Sequence, residues 1–322
     1  MRAVVVTRHG GPEVLEVRDE PDPQPGPGQL LIDVEVAGVN YRDVYERERV
    51  GDPPLIAGVE GAGTVAAVGE GVSEVAVGDL VAWTNAPGSY AERVVLDASR
   101  AVPVPDGVSS ELAAAALLQG MTAHYLATST YPIREGDTVL VHAAAGGVGL
   151  LLTQIAKLRG GRVIGTTSTD EKARLAAEAG ADEVIGYDGF AERVRELTGG
   201  DGVAAVYDGI ARTTFDESLD SLRRRGTMVL YGSASGPAQP VDPMRLQSAG
   251  SVFLTRPTLV HYTEAREELL ERAGAIFGWI GSGELHVRIG ERYPLEEAAR
   301  AQEDLQGRRT TGKLVLIVRG AA

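Results

Sequence analysis

Short runs of apolar and β-branched residues, separated by glycine and proline, make up the N-terminal third of the chain. Runs this short, with this punctuation, are typical of strands joined by tight turns. The pattern predicts a β-rich region folded as a partly closed antiparallel barrel. The runs are Ala3–Thr7, Leu15–Val17, Leu30–Val36, Gly61–Val68, Asp79–Trp83 and Tyr90–Val95.

The pattern then changes to an alanine-rich helical stretch over Glu111–Leu118, which continues through Tyr125–Thr128. Beyond it, strand-like and helix-like segments alternate, as in a doubly wound parallel α/β sheet. The predicted strands are Thr138–His142, Arg162–Thr166, Glu183–Tyr187, Val203–Tyr207, Thr227–Tyr231 and Ser251–Leu254. The predicted helices are Val148–Leu158, Glu171–Ala179, Ala191–Leu197 and Phe215–Arg223. The basic run Arg223–Arg225 is interpreted as a solvated helix end that the helix dipole favours.

An amphipathic helix, Thr263–Ile280, follows Pro257, and β-like segments come at Val287–Ile289 and Leu314–Val318. This return to strands predicts that the C-terminal part of the chain rejoins the first domain. The expected division is a β-rich domain of residues 1–120 and 261–322, interrupted by an α/β domain of residues 121–260.

Composition narrows the chemistry that such a fold can carry. The 322 residues include no cysteine, which excludes disulfides, thiolate zinc sites, iron–sulfur clusters and a cysteine nucleophile. None of the five histidines has the close spacing of a helical metal pair. A net charge of −14 disfavours nucleic acid and anionic membranes as partners. Since neither a long apolar run nor a secretory signal pattern is present, we expect a cytoplasmic protein without membrane association.

A glycine-rich turn follows the first strand of the α/β region, in the segment Val139–Gly149. It fits a dinucleotide-binding fingerprint with Ala144, Gly146 and Gly149 at the three glycine places. In such a turn the backbone approaches the pyrophosphate, and the N–H groups and dipole of the next helix face the anion. A purely structural turn is the alternative. The strand before, the helix after and the further alternating units are the context that the motif requires.

The end of the second strand of this region bears on the choice between NAD and NADP. NAD sites usually carry an acidic residue there, whereas Gly165–Lys172 has none at the strand end itself. Ser168 and Lys172 are candidates to bind a 2′-phosphate, and Tyr187 is a candidate to flank the adenine or donate to that phosphate. We therefore expect NADP(H). In the alternative interpretation Ser168 and Glu171 form a helix capping box, and Lys172 is an exposed helix residue.

Five segments carry a family pattern that covers nearly the whole chain. They are Gly38–Asp43, Gly58–Gly63, Ala143–Gly149, Val206–Gly209 and Thr255–Pro257. Together they resemble the medium-chain dehydrogenase/reductases, and within them the zinc-free NADPH:quinone oxidoreductases related to zeta-crystallin. The resemblance implies a GroES-like catalytic domain, a Rossmann NADP-binding domain, and a homodimer formed along the edge strand Ser251–Thr255.

The zinc alcohol dehydrogenases of that superfamily differ from this chain at three places. Asn40 stands where they have a zinc-ligating cysteine, and Val59 stands where they have a histidine. Their cysteine-rich zinc lobe is missing between Val81 and Tyr90. The resemblance therefore implies metal-free hydride transfer from NADPH to a quinone, an acceptor that is electrophilic without a Lewis acid.

The resemblance also implies the site residues. Asn40 and Tyr45 match family residues near the nicotinamide, where they orient the substrate or hydrogen-bond its oxygen. The alternatives are a left-handed turn residue for Asn40 and a packed helix tyrosine for Tyr45. The segment Arg308–Lys313 matches chain that returns towards the nicotinamide.

The cofactor contacts expected from the motif and the resemblance are Thr122, Ala145, Gly146, Gly147, Val148, Ser168, Lys172, Tyr187, Tyr231, Ser233, Phe253 and Thr255. The last four are expected at the carboxyl ends of their strands, where open sheets bind ligands. Ordinary strand-end packing is the alternative for these four.

Two other functions stay open. A 2-alkenal or enoyl reductase on the same scaffold would need the same cofactor and hydride geometry. A related enoyl-thioester reductase takes its proton donor from a rim tyrosine, and this chain has Asp52 in the tyrosine place, although Tyr45 could compensate. An RNA-binding, crystallin-like role would require a basic face with stacking aromatics, which the acidic charge and 5% aromatic content disfavour.

Overall fold

The computed structural model describes residues 1–319, which form two units. One unit contains Met1–Met121 together with the chain from Thr263 onward, and the other contains Thr122–Tyr262. The first is β-rich, and the second is built on a parallel sheet flanked by helices. The predicted fold class is confirmed.

The β-rich unit begins with a series of short strands and one long strand. They are β1 (Arg2–Val6), β2 (Leu15–Asp19), β3 (Gln29–Val39), β4 (Leu55–Ile56), β5 (Glu60–Val68), β6 (Leu80–Thr84), β7 (Arg93–Asp97) and β8 (Val102–Pro103). Helix α1 (Tyr41–Tyr45) follows β3 and continues into a π-helical turn. Helix α2 (Ser110–Tyr125) follows β8. Each predicted strand is present, although β7 begins three residues later than the pattern suggested.

In the α/β unit strands and helices alternate as predicted, apart from one short helix, Pro243–Ser248, that was not predicted. The strands are β9 (Thr138–Val141), β10 (Arg162–Thr166), β11 (Glu183–Ile185), β12 (Val203–Asp208), β13 (Leu222–Leu230) and β14 (Phe253–Thr255). The helices are α3 (Gly147–Leu158), α4 (Asp170–Glu178), α5 (Phe190–Leu197), α6 (Phe215–Asp220) and α7 (Pro243–Ser248). All strand pairs are parallel, in the order β11-β10-β9-β12-β13-β14.

The C-terminal segment returns to the first unit. Its elements are α8 (Arg266–Ser282), β15 (Ile289–Pro294), α9 (Ala298–Gln306) and β16 (Lys313–Ile317). Helix α9 has no counterpart among the predicted elements. Strand β15 pairs parallel with β16, so the sheet of this unit is not purely antiparallel.

Strand β3 organises the main sheet of the β-rich unit. Along one edge it pairs antiparallel with β5; on the other, its first half pairs with β7 and its second half with β16. Ala37 lies opposite Gly61 on β5, and Val39 lies opposite Leu314 on β16. This register brings the beginnings of β5 and β16 to the end of β3, where the polar cluster described below is built.

The Arg223–Arg225 run is not a helix end. Helix α6 already ends at Asp220, and the three arginines lie exposed on β13. Leu222, which is 1% exposed, packs into the core of the unit and fixes the start of the strand there. The hydrophobic effect therefore prevails over the helical pattern that the preceding residues suggest.

Candidate active site

The glycine-rich turn lies where β9 meets α3. Ala143 is left-handed, with φ of 50°, and Gly146 caps the helix with φ of −79°. Gly149 lies in the first turn of α3, where a β-carbon would overlap the Ala143 carbonyl oxygen and lie 2.8 Å from Ala144 Cα. Only glycine fits there, so it lets the start of α3 lie against the backbone of the turn residues Ala143 and Ala144. The close contact is thus with the turn and not, as predicted, with the strand.

The first turn of α3 is able to hold an anion. Its leading N–H groups, those of Gly147 and Val148 among them, have no acceptor within the helix, and the helix dipole adds positive potential there. Gly146, Gly147 and Val148 are half-buried, and Ala145 is buried beside them. The small side chains and the exposed amides fit a pyrophosphate.

Tyr187 lies beside this turn. Its hydroxyl oxygen accepts a hydrogen bond from the Ala143 N–H at 3.1 Å, and its ring lies 6.2 Å from that of His142. The residue follows β11, the strand at one edge of the sheet. The structure thus brings Tyr187 to the glycine-rich turn at the carboxyl ends of the strands.

The loop before α4 differs from one of the two interpretations of the sequence. Thr169 is the N-cap, and its side chain accepts a hydrogen bond from the Lys172 N–H at 3.3 Å. A capping box of Ser168 and Glu171 is therefore wrong. Ser168 is exposed, and the Lys172 side chain is half-buried in the first turn of α4.

The remaining expected cofactor contacts lie at different depths. Tyr231 and Ser233 follow β13 and are half-buried, and the ring of Tyr231 packs across Gly209. Thr255 ends β14. Phe253, in contrast, begins β14, so its predicted place at the carboxyl end is wrong; its side chain is 62% exposed. Thr122 is buried in α2.

A fully buried histidine lies directly before the turn. The Nδ1 atom of His142 is 2.8 Å from Thr166 Oγ1, and its Nε2 atom is 2.9 Å from Ser218 Oγ. Ser218 also contacts the Asp208 carboxylate, which accepts from the Thr214 hydroxyl at 2.7 Å. Because the carboxylate only accepts, the chain of bonds assigns the proton of His142 to Nε2.

Burial lowers the pKa of His142 to about 4, which outweighs the opposing attraction of the Asp208 charge. The imidazole is therefore neutral at physiological pH. The second oxygen of Asp208 accepts from the N–H groups of Ile210 and Ala211, at 2.7 and 3.0 Å. The cluster therefore has a neutral imidazole at its centre, and it lies directly before the glycine-rich turn.

In the β-rich unit, Asn40 is the N-cap of α1. Its φ of −136° and ψ of 156° are extended, so the alternative of a left-handed turn residue is wrong. Its N–H donates to Asp43 Oδ2 at 2.8 Å, which closes the first turn of the helix. The side chain of Asn40 instead turns towards Glu60 and Lys313. It is buried, with 4% of the residue exposed.

The Asn40 carboxamide joins a buried ion pair. Its Nδ2 donates to Glu60 Oε2 at 2.8 Å, and its Oδ1 accepts from Lys313 Nζ at 2.8 Å. Lys313 also donates to Glu60 Oε2, at 2.5 Å. Glu60 and Lys313 are 0% and 1% exposed. We call Asn40, Glu60 and Lys313 the amide–ion cluster; sequence reasoning assigned no role to Glu60 or to Lys313 individually.

Hydrogen bonds and close packing fix the position of the Glu60 carboxylate. Its Oε1 accepts from the Leu118 N–H at 2.6 Å. A β-carbon at Gly38 would overlap Glu60 Oε2 and lie 2.9 Å from the Ala114 carbonyl oxygen. The glycine therefore leaves the space that the carboxylate fills, and both carboxylate oxygens have donors.

Asp43 is a second buried carboxyl beside the cluster. Its Oδ2 also accepts from the Tyr90 hydroxyl at 2.8 Å, whereas its buried Oδ1 has no hydrogen-bond partner. Burial raises the pKa of Asp43 to about 7 despite these donors.

Tyr45 lies in α1 and is half-buried. The Arg49 guanidinium lies 4.8 Å from the centre of its ring, and the Tyr41 ring lies 6.2 Å away. The side chain of Tyr45 thus packs in part against its helix neighbours, as the alternative interpretation proposed.

Across residues 1–319 the structure contains no group of three or more histidine, aspartate or glutamate side chains arranged to hold a metal ion. Within the same residues, no helix is long and apolar enough to cross a bilayer.

Comparison with known proteins identifies the family to which the chain belongs. A family model for the alcohol dehydrogenase GroES-like domain matches residues 26–106, and one for zinc-binding dehydrogenases matches residues 147–274. A quinone oxidoreductase of Pseudomonas aeruginosa is 45% identical, over 96% of this chain and 97% of that protein. The chain belongs to the quinone oxidoreductase family of medium-chain dehydrogenase/reductases.

Two further proteins that this chain resembles are informative. A mycobacterial protein solved in complex with NADPH is 54% identical and has a TM-score of 0.97, covering 99% of this chain and 100% of that one. A 2-haloacrylate reductase of Burkholderia is 40% identical, over 98% of each chain. The chain is therefore similar both to quinone oxidoreductases and to a 2-haloacrylate reductase.

Proposed function

We propose that this protein reduces quinones with NADPH by metal-free hydride transfer. The observation that carries the proposal is the turn at Ala143–Gly149, where Gly149 lets α3 begin close against the turn backbone and the leading amides of α3 fit a pyrophosphate. The similar mycobacterial protein in complex with NADPH and the similar quinone oxidoreductase of Pseudomonas support the same cofactor and acceptor.

NADPH supplies the hydride when bound. For the cofactor, we propose that the backbone at Ala145, Gly146, Gly147 and Val148 binds the pyrophosphate, because the dipole and amides of α3 meet there. The other contacts that we propose are Thr122, Ser168, Lys172, Tyr187, Tyr231, Ser233 and Thr255. Among these, the exposed hydroxyl of Ser168 and the ammonium of Lys172 are suited to a 2′-phosphate.

For the substrate, we propose Asn40 and Tyr45. The Asn40 carboxamide is held by charged neighbours and is suited to donate a hydrogen bond to a quinone oxygen as negative charge develops on it. A quinone needs no strong Lewis acid, since aromatic delocalisation stabilises its reduced form. Protonation then comes from solvent or a nearby hydroxyl.

We also propose a homodimer formed through the edge strand β14. Phe253 on this strand is 62% exposed, and β14 pairs with β13 along one edge only. An exposed apolar side chain on an unpaired strand edge is a typical association surface.

The test is an acceptor screen. Purified protein is assayed for NADPH and NADH oxidation with 1,4-benzoquinone and with a 2-alkenal. The proposal expects quinone turnover with a preference for NADPH. Turnover of the alkenal alone would instead establish the second candidate function, an NADPH-dependent alkenal or enoyl reductase. The similar 2-haloacrylate reductase favours that candidate, since its name describes an activated alkene.

A further inference from the structure

Lysine and asparagine are rare in this chain, and one of each meets in the amide–ion cluster. The sequence has three lysines and two asparagines, against 31 lysines and arginines combined. We infer that Lys313 and Glu60 are positioning residues, which hold the Asn40 carboxamide so that its nitrogen is the hydrogen-bond donor to the substrate oxygen. The inference rests on the proposed quinone reduction.

The two charged partners determine which end of the amide faces which group. An ammonium only donates and an ionised carboxylate only accepts. The contacts at 2.8 Å therefore place Oδ1 of Asn40 towards Lys313 and Nδ2 towards Glu60. A flipped amide would set Nδ2 against the ammonium and Oδ1 against the carboxylate, and both contacts would be lost.

One of the two donor hydrogens of the Asn40 carboxamide is only weakly held. Its Nδ2 carries two hydrogens, and one is used by Glu60. The other is directed at the Gly38 carbonyl oxygen over 3.4 Å, which is long for a hydrogen bond. A quinone oxygen that gains negative charge is a stronger acceptor than this distant carbonyl, so the second hydrogen is the one suited to the substrate.

Stability alone does not account for the ion pair. Replacing both members of a buried pair by neutral side chains often leaves stability unchanged or higher, whereas removing one member leaves an unpaired buried charge. A positioning role and a structural role therefore predict different behaviour for the double variant. If the pair only stabilises the fold, neutralising both members restores activity along with stability.

The functional experiment uses Lys313→Met, Glu60→Gln and the double variant. Lys157→Met is the matched control, because Lys157 is a half-buried lysine paired with Asp182 in the α/β unit. We expect the double variant to unfold at nearly the wild-type temperature, to bind NADPH within twofold of wild type, and to lose at least tenfold in kcat with benzoquinone. A stable double variant with wild-type kcat would overturn the inference.

A second readout does not depend on activity. Selective ¹⁵N-asparagine labelling gives two carboxamide signals, from Asn40 and Asn85, and Asn40→Ala identifies which is which. In the double variant we expect the Asn40 signal to move and its amide protons to exchange faster, while the Asn85 signal stays. An unmoved Asn40 signal overturns the inference even where kcat falls.

The two failures are distinguishable. Wild-type protein that turns over no quinone contradicts the proposed function, whatever the Asn40 signal does. Wild-type protein that turns over quinone, with a double variant that matches it, leaves the proposed function in place and removes only the positioning role of Lys313 and Glu60.

Discussion

Each unit of the molecule buries a polar cluster at the end of a central strand, and the two clusters are built on opposite principles. The amide–ion cluster follows β3 and contains a full ion pair, between Lys313 and Glu60. The cluster around His142 follows β9 and has a neutral imidazole at its centre, between two hydroxyl groups.

The difference teaches how to separate buried polar groups that support a fold from those that are equipped for chemistry. Around His142, both ring nitrogens are used, and Asp208 accepts from several donors. That cluster is saturated and holds the glycine-rich turn in place. In the amide–ion cluster one hydrogen of the Asn40 carboxamide is held only by the distant Gly38 carbonyl oxygen, at 3.4 Å, and two charges set the direction of the amide. The second arrangement is the one suited to a reacting oxygen.

The largest effect is expected from a substitution in the glycine-rich turn, which should weaken the α/β unit and leave the β-rich unit intact. Gly149→Ala places a β-carbon against the backbone of Ala143 and Ala144, which cannot give way as a flexible side chain would. We expect a loss of about 2–4 kcal/mol in the free energy of unfolding and more than tenfold weaker NADPH binding. Urea unfolding and a fluorescence titration with NADPH measure the two effects.

Gly186→Ala is the control for that prediction, because a β-carbon there meets nothing within 4 Å. It should leave the free energy of unfolding nearly unchanged. Equal stability of the two variants would show that the turn does not need glycine at position 149.

The next prediction concerns the opposite pH dependence of the two units. The folded protein holds the pKa of His142 near 4, below the ordinary value of 6.5, so the unfolded chain binds more protons between these values. Stability from this residue is present above pH 6.5 and is lost as the pH falls towards 4. Asp43, raised to about 7 from 3.8, does the reverse: its contribution is lost as the pH rises towards 7. Each effect is at most about 3–4 kcal/mol.

Urea unfolding at pH 4.5, 5.5 and 6.5 tests these signs. His142→Gln should flatten the loss of stability on the acid side, and Asp43→Asn should steepen the gain with rising pH. If both variants follow the wild-type pH profile in parallel, neither buried group titrates as the structure indicates.

A smaller effect tests selectivity in the α/β unit. Lys172→Ala removes the ammonium proposed for the 2′-phosphate, so we expect the KM for NADPH to rise about tenfold, or about 1.4 kcal/mol, and the KM for NADH to change less than twofold. Lys157→Ala, which breaks only the ion pair with Asp182, should change neither. Equal changes for the two nucleotides would remove Lys172 from the phosphate site.

The smallest effect concerns Tyr45. Tyr45→Phe removes one neutral hydroxyl, and we expect kcat with benzoquinone to fall about two- to fivefold, in keeping with one modest hydrogen bond. Tyr41→Phe is the matched control in the same helix, since its hydroxyl contacts the Leu305 carbonyl. Unchanged kinetics for Tyr45→Phe would leave this residue a packing tyrosine.

The sequence predicted the α/β unit more fully than the β-rich unit. Alternation of strands with helices, and glycine at positions 146 and 149, are local signals, and the parallel sheet and the turn follow from them. Helix α9 was not predicted. The run Arg223–Arg225 was wrongly assigned to a helix, because the burial of Leu222 decides the structure of that segment and burial is not a local property of the sequence.

The amide–ion cluster could be predicted only in part. The resemblance identified Asn40 as a site residue. Glu60 and Lys313 lie in segments that the resemblance included, but it gave neither residue a role. A lysine next to an apolar strand, at Lys313, usually points to solvent. What reverses this is the pairing of β16 and β5 with β3. That register is a tertiary property, and it brings together residues 273 and 253 positions apart in the chain.

The most direct test of the division between the two clusters is the kinetics of Asn40→Ala, measured with NADPH binding on the same sample. We predict that kcat/KM for benzoquinone falls about hundredfold to thousandfold, as on removal of one donor to a developing oxyanion, while the Kd for NADPH stays within twofold of wild type. Wild-type turnover, or a Kd for NADPH that rises as much as kcat/KM falls, would contradict the account.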